Sequence, residues 1–290
     1  MSTTLSSIEL SKSFIDACLV ELRALKPGNV HDYSNGHGMT VADFEAAARA
    51  AAPYIVDSSL SLGQRIEKSF EASFKKVKLN ANLGIILLAA PLITAAQSSI
   101  HVKTTKPTVS DLKSSLKKIL NSTTPEDTAA VFRAIKLANP AGLGRVDEAD
   151  IHHAPPNMTL YEVMLLAKLR DRIAMQYVST FIDVFELGVK RLRDSVELGL
   201  ELPWAATNCY LEMVSSFPDS HLVRKHGDDV GKQVQEAGQA IRSWIGSGTG
   251  IMQHKATLMD WDKRLKESNL NPGTSADLTV ASLLANSLCL

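Results

Sequence analysis

Apolar residues return every three or four positions along nearly the whole chain, and no run of alternating β-branched residues breaks the pattern. That period lines up side chains on one face of a helix, whereas a strand needs a period of two, so the chain is constrained to an all-α fold. Helices are predicted over residues 5–24, 41–57, 60–76, 82–98, 109–120, 125–137, 159–189, 190–200, 203–216, 220–245 and 275–288. About ten to twelve helices suffice for one multi-helix globular domain. Neither an internal repeat nor a low-complexity linker divides the 290 residues, so that domain is expected to span 1–290.

The most apolar window, Leu83 to Ala96, is 14 residues long and contains Pro91. It is too short for a membrane span and suits a buried helix, so no membrane partner is expected. The 31 basic and 31 acidic residues cancel, which argues against a nucleic-acid partner but leaves room for a local phosphate pocket. Cys18, Cys209 and Cys289 are too far apart for a zinc ribbon or a Cys-x-x-Cys pair, and their odd number is against a disulfide framework. The first residues lack a basic segment followed by an apolar run, so a cytoplasmic protein is expected. Trp204, Trp244 and Trp261 suit a homodimer interface and core packing equally well.

Some acids fall where apolar packing is expected. Asp277 shares a helical face with Ala281, Leu284 and Leu288, and Asp171 lies in a stripe with Leu160, Val163, Met164, Ala167, Ala174 and Val178. A carboxylate on such a face must be hydrogen-bonded, paired or metal-bound. Each has a structural alternative: Thr274-x-x-Asp277 has capping-box spacing, and Arg170 and Arg172 flank Asp171 as ion-pair partners. Thr40-x-x-Asp43 and Thr124-Pro-Glu-Asp127 are further capping signatures.

Polar donors gather between the helices. Lys26 to Met39 holds three glycines, two histidines, two asparagines and a lysine, a composition suited to close backbone approach around a polar ligand. Asn139 to His153 repeats that composition, and His101 to Ser110 reads as a solvated connection. After Asp219, His221, Arg224 and Lys225 cluster near a helix start, either as a phosphate site or as a solvated basic face. Asn80 and Asn82 stand at the entrance of the most apolar helix, as caps or as ligand-binding amides. The histidines lack zinc-site spacing, and Gly246-Ser-Gly-Thr-Gly250 lacks the Gly-Lys-Ser/Thr ending of a phosphate loop and reads as a flexible turn.

Lys26-Pro-Gly28, His37 with Met39, Asp43-Phe44, Asn80-x-Asn82-x-Gly84, Asp219 to Gly227 and Asn271 to Asp277, in this order, resemble the triphosphoribosyl-dephospho-CoA synthase family over almost the full chain. The resemblance implies an all-helical pentosyltransferase acting on small-molecule nucleotide substrates. It would join the ribose of ATP to the 2′-hydroxyl of 3′-dephospho-CoA, expelling adenine and keeping the triphosphate. Such a reaction needs a base near the hydroxyl, neutralisation of the phosphates and stabilisation of an oxocarbenium-like centre.

On that basis Asp277, Asp219 and His221 are the catalytic candidates. Lys26, Gly28, Asn29, His37, Asn80, Asn82, Arg224, Lys225 and Asn271 are the substrate-binding candidates. Asp43, Asp171 and Asp219 are the candidates for Mg2+ accompanying the triphosphate.

Citrate- and malonate-associated members carry Asn-Thr-His-Lys-Gly where this chain has Asn80-Ala-Asn82-Leu-Gly84, and an Asp where it has Gly38. The present form resembles the branch of methanogens and of methylotrophs that use tetrahydromethanopterin. A ribosyl phosphate transfer in assembly of that cofactor is therefore a second expectation, and a catalytically silent nucleotide-binding helical protein a third.

Overall fold

Leu83–Ser99 is apolar all the way round, so its helix has no face to give to water and lies at the centre of the molecule. The structure, a computed structural model, describes residues 6–99, 106–138, 157–245 and 249–289. In chain order the helices are α1 (Ser7–Arg23), α2 (Val41–Ile55), α3 (Leu62–Val77), α4 (Leu83–Ser99), α5 (Val109–Asn121), α6 (Pro125–Ala138) and α7 (Leu160–Ala167). They continue with α8 (Arg172–Ser179), a π-helix (Asp183–Val189), α9 (Lys190–Glu197), α10 (Leu202–Ser216), α11 (Ser220–His226) and α12 (Asp228–Ile245). A 3-10 helix (Thr249–His254), α13 (Lys255–Glu267) and α14 (Gly273–Leu288) complete the order.

Local chemistry sets the starts. Capping boxes at Ser6/Glu9, Thr40/Asp43, Ser61/Gln64, Thr108/Asp111 and Thr159/Glu162 each satisfy two orphan N–H groups at a helix start. Around α4 pack α2, α3, α5, α6, α8 and α14. α14 is almost as deeply buried and also packs on α1, α10 and the π-helix. A large apolar cluster surrounds these two helices, and a smaller one lies among α10, α12 and α13. α10 and α14 contribute side chains to both, which joins the two clusters.

The all-α reading holds, with 14 α-helices among the described residues where ten to twelve were expected. Predicted helix 159–189 is divided because the Asp171 carboxylate accepts from Ile173 N (2.8 Å) and Ala174 N (3.1 Å) and becomes the N-cap of α8. Left-handed backbone at Thr180 and Phe181 then separates α8 from the π-helix. Predicted helix 220–245 is split at Gly227, whose φ of 91° suits glycine. α13 is absent from the predicted set; its apolar stripe of Leu258, Trp261 and Leu265 is narrow and its other positions mostly charged.

All three cysteines are buried and free. Trp261 is buried, Trp204 packs against the smaller cluster and Trp244 is 70% exposed. Among the described residues no helix is long and apolar enough to cross a membrane. The loop predicted over Asn139 to His153 lies outside the described residues, as do 101–105 of the solvated connection and 246–248 of the glycine-rich turn.

The π-helix approaches α14 through Gly188, where an added Cβ would fall 1.9 Å from Ser282 Oγ and 2.8 Å from Met213 Cε. Gly188→Ala is expected to lower stability by about 1–3 kcal/mol through overpacking, outweighing the roughly 1 kcal/mol that alanine gains over glycine in a helix. Urea unfolding checks this, and an unchanged midpoint would refute the close approach.

Candidate active site

The starts of α11 and α14 are held together by one carboxylate. Asp219, 1% exposed, accepts from His221 N (2.9 Å) and Leu222 N (3.2 Å) through Oδ1, capping α11. Its Oδ2 accepts from Ser275 N (2.7 Å) and Ser275 Oγ (2.8 Å), capping α14 as well. Thr274 answers from the other side, its Oγ1 accepting from His221 N (3.2 Å) and lying 3.0 Å from Ser220 Oγ. Burial pushes the Asp219 carboxyl above its ordinary range while these four bonds oppose the rise.

A second junction ties the loop after α1 to the segment before α14. Asn29 Nδ2 donates to Asn271 Oδ1 (2.7 Å), and Gly28 N donates to Asp262 Oδ1 on α13 (2.8 Å). Gly28 has φ 85°, and a Cβ there would lie 2.8 Å from both Leu270 O and Pro272 Cδ. The glycine thus admits the 270–272 backbone. His37 donates from Nε2 to Gly28 O (2.8 Å) and sets Nδ1 3.1 Å from Asn269 Oδ1. Beneath this loop the buried Lys26 ammonium bonds Glu21, and it donates to Asn29 Oδ1 (3.1 Å).

Between these junctions and α4, α6, α7 and α8 lies a cavity of about 460 Å³. The starts of α4, α8, α11 and α14 all contribute to its wall. Its polar part includes Glu21, Asn82, Asp171, His221, Arg224 and Asp277, and α6 and α7 give an apolar wall that includes Val131, Phe132 and Met164. Arg170 and Lys225 line it as exposed cations.

Asp277 is half-buried, and among the described residues nothing hydrogen-bonds its carboxylate, which rests on the α4 backbone. An added Cβ at Gly84 would fall 2.0 Å from Asp277 Oδ2. Burial first, then the charges of Glu21, Asp219 and Asp171, raise the Asp277 carboxyl well above its usual range, with Lys26 opposing. Two buried donors in the same wall are orphaned. Asn82, 3% exposed, accepts from Ser73 Oγ (2.7 Å) through Oδ1, leaving Nδ2 without a partner, and Arg224 Nε has none either.

Arg224 donates to Asp171 Oδ2 (3.4 Å) and to His221 Nδ1 (3.2 Å). An arginine can only donate, so Nδ1 is the acceptor and the neutral His221 ring carries its proton on Nε2. Burial and the adjoining Arg224 and Lys225 pull the His221 pKa down to about 4, so the ring is neutral near pH 7 and offers its Nε2–H as a donor.

The predicted residues therefore sort by position. Asn29, His37, Asn80, Asn82, Asp171, His221, Arg224, Lys225, Asn271 and Asp277 line the one cavity. Four do not. Lys26 is committed to Glu21 and Asn29 behind the wall, Gly28 to the 270–272 backbone, and Asp219 to two helix starts. Asp43 closes the capping box of α2, accepting from Thr40 N and Thr40 Oγ1 (both 2.8 Å).

Asp43, Asp171 and Asp219 consequently do not converge, and no group of three or more His, Cys, Asp or Glu able to hold a metal ion occurs among the described residues. The expected capping box of α14 is also absent. The N-cap is Pro272, and both Thr274 and Asp277 are turned to other uses. Asn80 does cap, accepting from Leu83 N (3.4 Å). Glu21 and Arg170 were missed as site residues. Glu21 was legible by the test that singled out Asp277, since it continues the stripe of Leu10, Phe14 and Cys18.

The sequence profile of the ATP:dephospho-CoA triphosphoribosyl transferase family matches residues 7–289, so the chain belongs to this family of transferases. A crystal structure from Archaeoglobus fulgidus, provisionally named a triphosphoribosyl-dephospho-CoA synthase, shares the fold. It superposes with a TM-score of 0.64 at 24% identity, covering 83% of this chain and 96% of that one. No protein of curated function is detectably similar to this chain.

Because the folded state holds the Asp277 proton more tightly than the unfolded chain does, stability falls as pH rises from the ordinary carboxylate range toward the raised pKa. Asp277→Asn removes this penalty. The variant is expected to be more stable than the parent by on the order of 1 kcal/mol at pH 7–8, with the gain vanishing toward pH 3–4. Thermal unfolding at several pH values checks this, and a gain independent of pH would rule out the raised affinity for the proton.

Proposed function

We propose that this member of the ATP:dephospho-CoA triphosphoribosyl transferase family moves the triphosphoribosyl group of ATP to the 2′-hydroxyl of 3′-dephospho-CoA, releasing adenine. One observation carries the reading: a carboxyl group without partners shares a cavity with buried donors that have no acceptor of their own. Buried donors are almost always answered, so Asn82 Nδ2 and Arg224 Nε call for oxygen atoms brought by a ligand. Four helix starts around one space favour an anionic ligand.

In this reaction the acceptor oxygen attacks C1′ of the ribose while the bond from C1′ to adenine breaks, and positive charge develops at the ring oxygen and C1′. Asp277, resting on the backbone of Gly84, is the carboxyl group offered to the reacting centre as a carrier of the proton that the departing base requires. Arg224 and Lys225, joined by Arg170, suit the phosphate chain as cations, and the neutral His221 offers Nε2–H to an oxygen of the substrate. The amides of Asn29, Asn82 and Asn271 suit ribose hydroxyls. Mg2+ would enter with the triphosphate of the substrate, since nucleotide-bound Mg2+ is commonly met by only one or two carboxylates.

A specific observation favours a second reading. Asn82 and Leu83, which stand where citrate- and malonate-associated members carry histidine and lysine, both line the cavity. A wall with fewer charges suits a different acceptor, and ribosyl phosphate transfer to a pterin-linked hydroxyl in tetrahydromethanopterin assembly has the same bond chemistry. Incubation with ATP and dephospho-CoA separates the two. Adenine release that depends on dephospho-CoA supports the first, whereas diphosphate release from phosphoribosyl diphosphate with a pterin acceptor would replace it.

With either substrate pair, Asp277→Asn is expected to lower kcat by about 10²–10⁴-fold while leaving KM for the donor within a few fold. Gly84→Ala, which drives a methyl group into the same carboxylate, is expected to reproduce that loss. Steady-state kinetics check both, and full activity of either variant would remove Asp277 from the reaction.

A further inference from the structure

Glu21 is 3% exposed, lies in the last turn of α1 on the buried face with Phe14 and Cys18, and reaches the cavity wall. One oxygen, Oε1, is bonded by Lys26 Nζ, and Oε2 has no hydrogen-bond partner among the described residues. Asp277 lines the same cavity from α14, the helix that packs along α1, and both of its oxygens are without partners. Two carboxyl groups thus face one space from neighbouring helices, and among the described residues only Glu21 is hydrogen-bonded to a cation.

A base and an acid are both required when a hydroxyl displaces a nucleobase. The hydroxyl loses its proton as its oxygen bonds C1′, and the departing ring nitrogen gains one as its bond to C1′ breaks. We infer that Glu21 is the second catalytic carboxyl of the transfer proposed above. It takes the proton of the attacking hydroxyl while Asp277 delivers a proton to the departing base. At the end of the step Glu21 is protonated and Asp277 ionised. Exchange of one proton with solvent at each group restores the starting state.

The division of labour follows from environment, since acid and base are told apart by what surrounds each carboxyl. Burial raises the Glu21 carboxyl as well, but the ammonium of Lys26 bonded to it opposes that rise and favours its charged form, an aid that Asp277 lacks as a direct contact. Asp277 has no hydrogen-bonded cation among the described residues, and burial first, then the charges of Glu21, Asp219 and Asp171, favour its protonated form, with Lys26 opposing. Other titratable or charged groups around the pair are Cys18 on α1 and Tyr210 on α10, both raised by burial, Asp262 on α13 behind Lys26, and, lining the same cavity, His37, Arg170, Asp171, His221, Arg224 and Lys225. α4 meets the cavity here with Asn82 and Gly84, which do not titrate.

Two measurements on the full chain test the pair, one of them independent of turnover. In a ¹³C-carboxyl NMR titration, Glu21→Gln is expected to lower the midpoint of Asp277 by about one pH unit or more, because a neighbouring negative charge is gone. An unmoved midpoint means that the two groups do not face each other and overturns the inference, whatever the substrate.

The pH profile of kcat/KM for nucleobase release is expected to be bell-shaped. Glu21→Gln should abolish its acidic limb and lower kcat about 10²–10⁴-fold, and Asp277→Asn should abolish its alkaline limb. A Glu21→Gln enzyme that keeps the acidic limb also overturns the inference. If that variant fails to fold, Glu21→Gln/Lys26→Met leaves no unpaired charge buried and must lose the same limb. Lack of turnover by the unaltered protein with either substrate pair would instead defeat the proposed transfer, leaving the NMR result to decide whether the carboxyls are paired.

Discussion

The buried carboxylate of Asp219 fixes where the site can be. Four hydrogen bonds from two helix starts converge on its two oxygens, and no cation accompanies it. Charge-assisted bonds of this kind are among the stronger ones in a protein, and two helix dipoles supply the positive field that a counter-ion would otherwise give. Because a single residue caps both helices, α11 and α14 cannot shift independently. His221 and Arg224 on one, and Asp277 on the other, are therefore presented to the cavity as a unit.

Within that frame the molecule tolerates what folding alone would remove. Asp277 has its oxygens unanswered, Asn82 Nδ2 and Arg224 Nε are donors without acceptors, and Glu21 with Lys26 forms an ion pair with almost no exposure. Each costs stability. These groups gather in one cavity, against an apolar wall from α6 and α7. The other inward acids are neutralised locally, Asp183 by Arg172 (2.7 Å) and Asp127 by Ser61 Oγ and Gly63 N (both 2.7 Å).

Much of this was legible from residue order. The period of apolar residues gave the helices, and α4 stood out because all of its faces are apolar. The inward placement of Asp277 and Asp171 also followed from helical geometry. Chain breaks were harder, because Asp171 competes for backbone N–H groups only where a turn is free to form, and Gly227 marks a boundary that the surrounding charged residues obscured. Lys26, Gly28 and Asp219, expected at the site, are placed outside the cavity lining. Gly28 and Asp219 meet partners far along the chain, at Leu270 and Ser275, and Lys26 turns back to Glu21 at the end of α1. Sequence spacing shows which side chains point inward but not which of them find partners there.

The bond between Asn29 and Asn271 joins residues 242 apart, and that from Gly28 to Asp262 spans 234. During synthesis the first helices therefore emerge long before the wall that completes the cavity. Until α13 and α14 arrive, Glu21 and Lys26 have only each other, and the anion-attracting space has no far side. Contacts this distant in the chain form late, since the entropy of closing so large a loop must be met before they can repay it. The cavity consequently matures with completion of the helical assembly, and a ribosome-bound fragment ending before Asn271 would lack both the helix that covers α4 and the far wall of the pocket.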